Sequence, residues 1–124
     1  MAAPTEIRLL KDRRTLHVAF GEERYSIPAE LLRVESPSAE VQGHDPSQKT
    51  TVPGKRNVEI IGVEPVGNYA VRLRFDDLHA TGIYTWDLLR RMGRDGAAMM
   101  ALYERELAAR GLSRDPKPLP PRAG

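Results

Sequence analysis

The sequence predicts an α+β domain: a mainly antiparallel sheet of five to seven short strands, one short helix near residues 28–34, and two C-terminal helices between about 85 and 111. Within 6–27 and 69–75, apolar and polar residues alternate, which is the period of a β-strand with one buried face. Between 85 and 111, apolar residues instead recur every three or four positions, as on one face of a helix. Strand meanders followed by helices give the α+β arrangement.

Composition limits the size and class of the protein. The chain has 124 residues, of which 40% are hydrophobic and 29% charged, as in ordinary globular domains. We expect a single domain over 1–112 and a disordered proline-rich tail over 113–124. Cysteine is absent from the sequence, which excludes disulfides, thiolate metal sites and cysteine-ligated iron–sulfur clusters within this chain.

Charge and hydropathy indicate where the protein works and what it does not bind. Residues 1–6 lack a basic region followed by an apolar run, and no window of the sequence approaches the length of a membrane span. We therefore expect a cytoplasmic protein that does not insert into membranes, which the lack of cysteine also suits. The net charge of +2 is too small to indicate nucleic-acid binding.

The first half of the chain begins with short strands. Apolar residues alternate with polar ones over 7–9 and 16–20, on either side of a charged turn, which predicts a hairpin. A third strand is predicted at 25–27. Pro28 then opens a short helix, because proline is tolerated in a first helical turn. The serines and proline of 36–38 stop that helix.

The segment 36–57 is long, rich in turn-forming residues and without a sustained period. A connection of this length inside a compact domain is unusual, and is either functional or mobile. We expect it to lie against the sheet near His79. The run from Pro53 to Arg56 lacks the upstream glycine and the hydroxyl residue of a phosphate-binding loop, so we interpret it as a turn.

The clearest strand pattern covers residues 69–75. Its alternating apolar residues, which we expect to face the core, are Tyr69, Val71, Leu73 and Phe75. Arg72 and Arg74 then project from the other face, where Lys55 and Arg56 would extend a positive strip. Two interpretations stay open: a docking strip for an acidic partner, or a solvated face that keeps the sheet soluble.

Cap residues set the predicted helix boundaries near the C-terminus. Thr85 is a good N-cap for a helix that begins at Trp86, and Gly93 is a typical residue just past a helix end. Asp95 is predicted to cap a second helix, which runs to about Arg110.

The densest chemistry begins at Asp76, where two carboxylates, a histidine and the only tryptophan fall within eleven residues. Asp76 and Asp77 would point to opposite faces of an extended strand, so we interpret them as turn residues and not as a catalytic pair. His79 is a candidate metal ligand, acid–base group or structural histidine. The nearest further ligands, including His44 and Glu40, show no recognised metal spacing.

A nucleophilic site is a weaker interpretation of the same residues. Ser36 or Ser38 with His79 and an aspartate would have the chemistry of a catalytic triad. However, the sequence has no Gly-x-Ser-x-Gly elbow, and the two serines flank a proline in a loop.

Four segments carry a resemblance to a known family. They are LRVESPSAEVQGH at 32–44, VPGKRNV at 52–58, EPVGNYA at 64–70 and DDLHATGIYTW at 76–86. Together they resemble small bacterial proteins similar to the N-terminal domain of gamma-butyrobetaine hydroxylase. The resemblance covers roughly residues 6–93.

The resemblance also implies a metal site that this chain has lost. In the hydroxylases the domain binds a structural zinc through three clustered cysteines and a later histidine, and the resemblance places these ligands at Ser36, Ser38, Val41 and His79. Neither serine nor valine replaces cysteine on zinc. We therefore expect no cofactor, and a chain that folds without zinc. Weaker binding of another metal by His44, His79 and a carboxylate is the alternative.

The resemblance implies a fold and a docking surface, and it does not imply hydroxylation, because the iron and 2-oxoglutarate site of those enzymes belongs to a separate domain. Similar domains also occur fused to Mrp-type P-loop ATPases that carry iron–sulfur clusters, which suggests a partner class. The leading hypothesis is a non-catalytic adaptor linked to iron–sulfur protein maturation, with Arg72, Arg74 and His44 in its partner surface. The alternative is an accessory metal-binding or enzymatic site around Asp76, Asp77 and His79.

Overall fold

The computed structural model describes residues 3–116 and contains two three-stranded antiparallel sheets. The first sheet has the order β1-β2-β3, and its strands are β1 (Glu6–Leu9), β2 (Thr15–Phe20) and β3 (Glu23–Pro28). The central strand, β2, buries Leu16 and Val18 completely. The alternation in the sequence therefore marked the face that packs into the core.

The second sheet has the order β4-β5-β6, with β4 (Ile60–Val66), β5 (Ala70–Phe75) and β6 (Ile83–Thr85). The α+β class and the number of strands agree with the prediction. The strands form two sheets instead of one, and a helical segment and a long loop lie between β3 and β4 along the chain. A backbone hydrogen bond from Ile60 N–H to Arg13 O, at 2.8 Å, links the start of β4 to the turn between β1 and β2.

Short helices and a long loop connect the sheets. The predicted helix near 28–34 is present as α1 (Ala29–Val34), and it is followed by α2 (Ala39–Gln42) and a 3₁₀ turn (Pro46–Gln48). The loop is bonded to these helices, since the N–H of Thr50 donates to Val41 O at 2.7 Å. The predicted loop thus contains an ordered helical turn that closes over the end of α1.

The C-terminal region forms one helix, α3 (Trp86–Ala109), so the prediction of two helices is wrong in number. Thr85 caps α3 as predicted, and its hydroxyl oxygen accepts from the N–H of Leu88. Gly93 lies inside the helix and against Tyr25, where an added Cβ would lie 2.6 Å from the Tyr25 Cβ. This glycine serves the close approach of β3 to α3 and does not end a helix.

One main core joins both sheets, α1 and α3. Its largest fully buried side chains come from each of these elements and include Leu16, Ile27, Leu31, Ile60, Leu73, Phe75, Tyr84, Leu89 and Met92. Burial of these side chains supplies the main favourable term in folding. Within residues 3–116, no helix is both long and apolar enough to cross a membrane.

Tyr69 departs from the predicted burial of the 69–75 pattern. Its side chain is 53% exposed, whereas Ala70 is fully buried. Tyr69 lies in the turn before β5, with its N–H directed to Val66 O at 3.4 Å, so it does not follow the pleat of the strand. The other three apolar residues of the pattern are buried as predicted.

The chain after α3 returns along the 53–56 loop. Gly54 N–H donates to Ser113 O at 2.9 Å, and Arg114 forms an ion pair with the buried Glu30 at 2.6 Å. Residues 113–116 of the predicted tail are thus held against the domain. The rest of that tail, 117–124, lies outside the described residues.

Candidate functional site

The residues predicted to carry chemistry meet around the turn that follows β5. Leu78 N–H donates to Phe75 O at 3.0 Å, and Phe75 N–H donates to His79 O at 2.9 Å. Leu78 adopts a φ of 72°, a left-handed conformation that leucine rarely takes. As a result the two neighbouring side chains diverge: His79 is 6% exposed and Leu78 is 88% exposed.

The His79 ring lies among three polar side chains. Its Nε2 is 2.9 Å from the Ser36 hydroxyl and 3.3 Å from the Ser38 hydroxyl. Its Nδ1 is 3.3 Å from a carboxylate oxygen of Glu40. Because an ionised carboxylate only accepts, Nδ1 carries the proton and Nε2 accepts from serine. We call Ser36, Ser38, Glu40 and His79 the His79 cluster.

The electrostatic surroundings keep the imidazole of His79 neutral. Burial lowers the pKa of His79 below its ordinary value, and the positive charge of Arg33 lowers it further. Glu40 and Asp77 act in the opposite direction, with smaller effects on this pKa. Neutral His79 is consistent with the hydrogen bond that its Nε2 accepts from Ser36 and with the contact of its Nδ1 with the Glu40 carboxylate.

In space, Ser36 contacts His79 and His79 contacts Glu40, which is the arrangement of a serine nucleophile, a base and an orienting acid. Glu40 takes the third place, where the sequence suggested an aspartate, and nothing local in the sequence pairs it with His79. Ser36 is 0% exposed, and an added Cβ on Gly82 would lie 2.5 Å from its hydroxyl oxygen. A substrate carbonyl has no room to reach this hydroxyl in this structure, so the geometry gives no support to acyl transfer.

The Asp77 carboxylate holds the turn in place through three polar contacts. One carboxylate oxygen lies 2.7 Å from both Arg33 Nε and Lys55 Nζ, and the other accepts from His79 N–H at 3.1 Å. Burial raises the pKa of Asp77, but the hydrogen bonds from Lys55, His79 and Arg33 outweigh burial and lower this pKa to about 2. Asp77 is therefore ionised and structural at neutral pH.

Asp76 and Asp77 contact different elements. The Asp76 carboxylate accepts from Glu59 N–H, next to β4, at 3.0 Å, whereas Asp77 bonds α1 and the loop. The two carboxylates are therefore held by different elements, as expected for neighbours in a turn, although both residues line one surface cavity.

Three of the four arginine and lysine residues in the predicted positive strip are paired with carboxylates. The pairs are Arg74 with Glu64, Arg56 with Asp115 and Lys55 with Asp77, at 3.0, 2.5 and 2.7 Å. Arg72 is half-buried and has no ion pair within residues 3–116. The strip keeps little net charge, and its role as a docking surface stays a prediction.

Comparison with known protein families shows which family this chain belongs to. The sequence model described as "Gamma-butyrobetaine hydroxylase-like, N-terminal" matches residues 7–90. The chain belongs to the gamma-butyrobetaine hydroxylase-like N-terminal family. This match confirms the resemblance seen in the sequence, whose limits of roughly 6 and 93 it nearly reproduces. A comparison with curated proteins finds no match.

Three similar solved structures share the fold. One solution NMR structure is 46% identical, covers 98% of this chain and 97% of its own, and has a TM-score of 0.82. A second is 38% identical, covers 100% of this chain and 92% of its own, and has a TM-score of 0.79. A crystal structure from Acidithiobacillus ferrooxidans, described as a protein of unknown function in the DUF971 family, is 41% identical, covers 73% and 91%, and has a TM-score of 0.59.

The zinc ligands that the family resemblance implies do not fit this chain. Ser36, Ser38 and His79 are brought together, and Val41 is buried nearby in α2, but a hydroxyl is a poor zinc ligand and valine is none. Among the described residues, no group of three or more His, Asp and Glu side chains is gathered to hold a metal ion. In this member of the family, hydrogen bonds occupy the place that the resemblance gives to zinc.

His44 lies apart from the cluster. It is exposed, and its backbone N–H donates to Gln48 Oε1 at 2.9 Å. No hydrogen bond or ion pair joins it to His79 in the part of the chain that the structure describes. A shared metal site of His44 and His79 therefore gains no support from the geometry.

Proposed function

We propose that this protein is a non-catalytic protein-binding module that docks through the turn at Leu78. The observation that carries the proposal is the divergence of two neighbours: the reactive side chain, His79, points inward, and the apolar side chain, Leu78, is held outward at a positive φ. A left-handed leucine costs about 1–2 kcal/mol. Residues held in such sparsely populated backbone conformations cluster at active sites, ligand clamps and switch regions.

The turn is rigid enough to present an apolar anchor. Asp77 ties it to Arg33 of α1 and to Lys55 of the loop, and two backbone hydrogen bonds close it. A backbone that is already fixed loses little conformational freedom on binding, so more of the contact energy of the side chain that it presents appears as affinity. A single exposed leucine is common on protein surfaces; its fixed, strained backbone is what sets Leu78 apart.

Burial of three members of the His79 cluster, Ser36, Ser38 and His79, supports a role without catalysis. The Ser36 hydroxyl is inaccessible, and it is hydrogen-bonded to His79. A group that must react with a substrate needs a cavity beside it.

The family resemblance supports the proposed class of partner. Domains similar to this one occur fused to P-loop ATPases that carry iron–sulfur clusters, so we propose partners among the proteins of iron–sulfur protein maturation. Because this chain has no cysteine, its part there would be to bind a protein, and not to hold a cluster through thiolates.

The test is quantitative capture of partners from extracts of the native cell with the wild-type chain and two variants. Leu78→Ser removes the proposed anchor, and Leu102→Ser is the matched control, because Leu102 is a 50% exposed leucine on α3. We expect Leu78→Ser to lose specific partners that Leu102→Ser retains, with iron–sulfur maturation proteins among those lost. Equal capture by both variants would refute docking through Leu78.

A further inference from the structure

A second surface feature lies where the turn before β5 meets the start of α3. Asn68, Tyr69, Thr85, Trp86 and Asp87 line a surface cavity of about 350 Å³, which we call the Tyr69 cleft. The Tyr69 side chain is half-exposed, and Trp86 is half-buried against the main core. Aromatic residues that are apolar on one side and wet on the other are enriched at binding surfaces.

The aromatic side chains of the Tyr69 cleft are held in place. The Trp86 indole N–H donates to Asn68 O at 2.9 Å, and the Trp86 backbone N–H is directed to Tyr69 O at 3.4 Å. The Tyr69 ring lies over Gly67, where an added Cβ would be 3.1 Å from two ring carbons. The cleft is therefore formed before any ligand binds, which lowers the entropy cost of binding.

The polar groups of the cleft favour a cation over an anion. The first-turn N–H groups of Trp86 and Leu88 are already directed to Tyr69 O and to the Thr85 hydroxyl oxygen. What remains is the Asp87 backbone N–H, a neutral donor, and the exposed carboxylate of Asp87, which has no ion pair among residues 3–116. The full negative charge of the carboxylate outweighs the partial positive charge of the helix start. Two aromatic side chains beside a free carboxylate match the chemistry that binds organic cations.

We propose that the Tyr69 cleft binds an arginine side chain of a protein partner. A guanidinium group is planar, so it stacks on an aromatic ring while it donates two hydrogen bonds to one carboxylate. This inference rests on the proposed function as a protein-binding module and adds the chemistry of one partner contact. The cleft uses residues that are separate from Leu78, so the two contacts can be tested one at a time.

The test is an NMR titration of the purified chain with two blocked pentapeptides. One has a single central arginine, and the other has citrulline, which is the neutral isostere, at the same position. The indole N–H of Trp86, the only tryptophan, reports on the cleft. We expect saturable chemical-shift changes centred on residues 67–69 and 85–88. The citrulline peptide should bind at least about tenfold more weakly than the arginine peptide.

Three variants separate the cleft from general charge effects. Asp87→Asn and Tyr69→Ala should each weaken binding of the arginine peptide by about tenfold. Asp95→Asn is the matched control, because it removes another exposed carboxylate of α3, and it should leave binding unchanged. The amide spectrum of each variant checks that the fold is intact.

Equal binding of the two peptides, or unchanged binding of the arginine peptide by Asp87→Asn, would overturn the proposal. Shifts that appear away from the cleft would also overturn it. The titration needs no native partner, so its failure would leave the Leu78-dependent capture of partners untouched. Conversely, the capture of partners could prove independent of Leu78 while the arginine peptide still binds the cleft. That result would reject docking through Leu78 and leave the proposal for the Tyr69 cleft standing.

Discussion

The Ser36 hydroxyl lies 2.9 Å from Nε2 of His79, although 43 residues separate the two along the chain. This bond joins the end of α1 to the turn after β5, and both of its partners are buried. Since a buried polar group left without a partner costs about 1–3 kcal/mol, the pair should be a strong constraint on the loop.

The first prediction concerns the stability of this pair. His79→Ala removes a buried ring and the 2.9 Å hydrogen bond of the buried Ser36 hydroxyl, which keeps only its longer contacts with Ser38 at 3.3–3.4 Å. We therefore expect a loss of about 2–3 kcal/mol in the free energy of unfolding. Urea denaturation measures it. His44→Ala is the control, because His44 is exposed, and a similar loss in both variants would show that the His79 cluster contributes nothing special.

The second prediction follows from the lowered pKa of His79. The unfolded state, with a pKa near the ordinary 6.5, takes up a proton before the folded state does, so the unfolded state is favoured as the pH falls. The stability that neutral His79 contributes is full above 6.5 and is lost as the pH drops through 6.5 towards the lowered folded pKa. His79→Gln, which does not titrate, should remove this part of the pH dependence, whereas His44→Gln should keep it. Chemical denaturation from about pH 8 to 5 measures both.

The features that sequence could predict are local ones. Thr85 was correctly predicted to cap α3, because N-cap chemistry depends on a hydroxyl and the next three residues. The prediction of a helix end at Gly93 is wrong, because the reason for that glycine is its contact with Tyr25, which belongs to a distant strand. Tyr69 was wrongly placed in the core, since the period of two does not reveal where the turn stops and the strand starts.

The candidate site could be predicted only in part, because its contacts also join residues that are distant along the chain. Family resemblance drew attention to Ser36, Ser38 and His79, and the structure brings these three together. The contact from Glu40 depends on how α2 packs over the turn, and no spacing in the sequence encodes it. The left-handed Leu78 has no local signal either, because asparagine, aspartate and glycine are the residues that usually take this conformation.

The third prediction compares two glycines of α3. Glycine inside a helix costs up to about 1 kcal/mol relative to alanine. At Gly96 an added Cβ meets only Leu31 Cδ2, at 3.4 Å, so Gly96→Ala should stabilise the protein by up to that amount. At Gly93 the Cβ would overlap the Tyr25 side chain, so Gly93→Ala should destabilise it by about 1–3 kcal/mol. Thermal unfolding measures both, and the same sign for the two variants would contradict the packing of β3 on α3.

The fourth prediction concerns the strain at Leu78. Leu78→Asn places a residue that tolerates a positive φ where leucine does not, and the exposed side chain gives up little buried area, so we expect stabilisation of about 0.5–1 kcal/mol. Arg13, with a φ of 59°, is the other non-glycine residue at positive φ within 3–116. Arg13→Asn should stabilise by a similar amount, but only Leu78→Asn should weaken partner capture. Stabilisation without any loss of capture would mean that the strain serves folding geometry alone.

The last prediction tests why the chain needs no zinc. The two serine hydroxyls and His79 Nε2 lie 2.9–3.3 Å apart, close to the separation of roughly 3.3–3.8 Å that tetrahedral zinc ligands adopt at bond lengths near 2.0–2.3 Å. The wild-type chain should therefore purify folded and free of zinc, whereas the triple variant S36C/S38C/V41C should bind one equivalent, since three thiolates and His79 complete the ligand set of the related hydroxylases. Metal analysis and thermal unfolding with and without a chelator measure this. Adding H79A to the triple variant should weaken binding sharply, because one of four ligands is lost. Stoichiometric zinc in the wild-type chain, lost together with its fold on chelation, would show that the hydrogen-bonded His79 cluster is not what closes this loop.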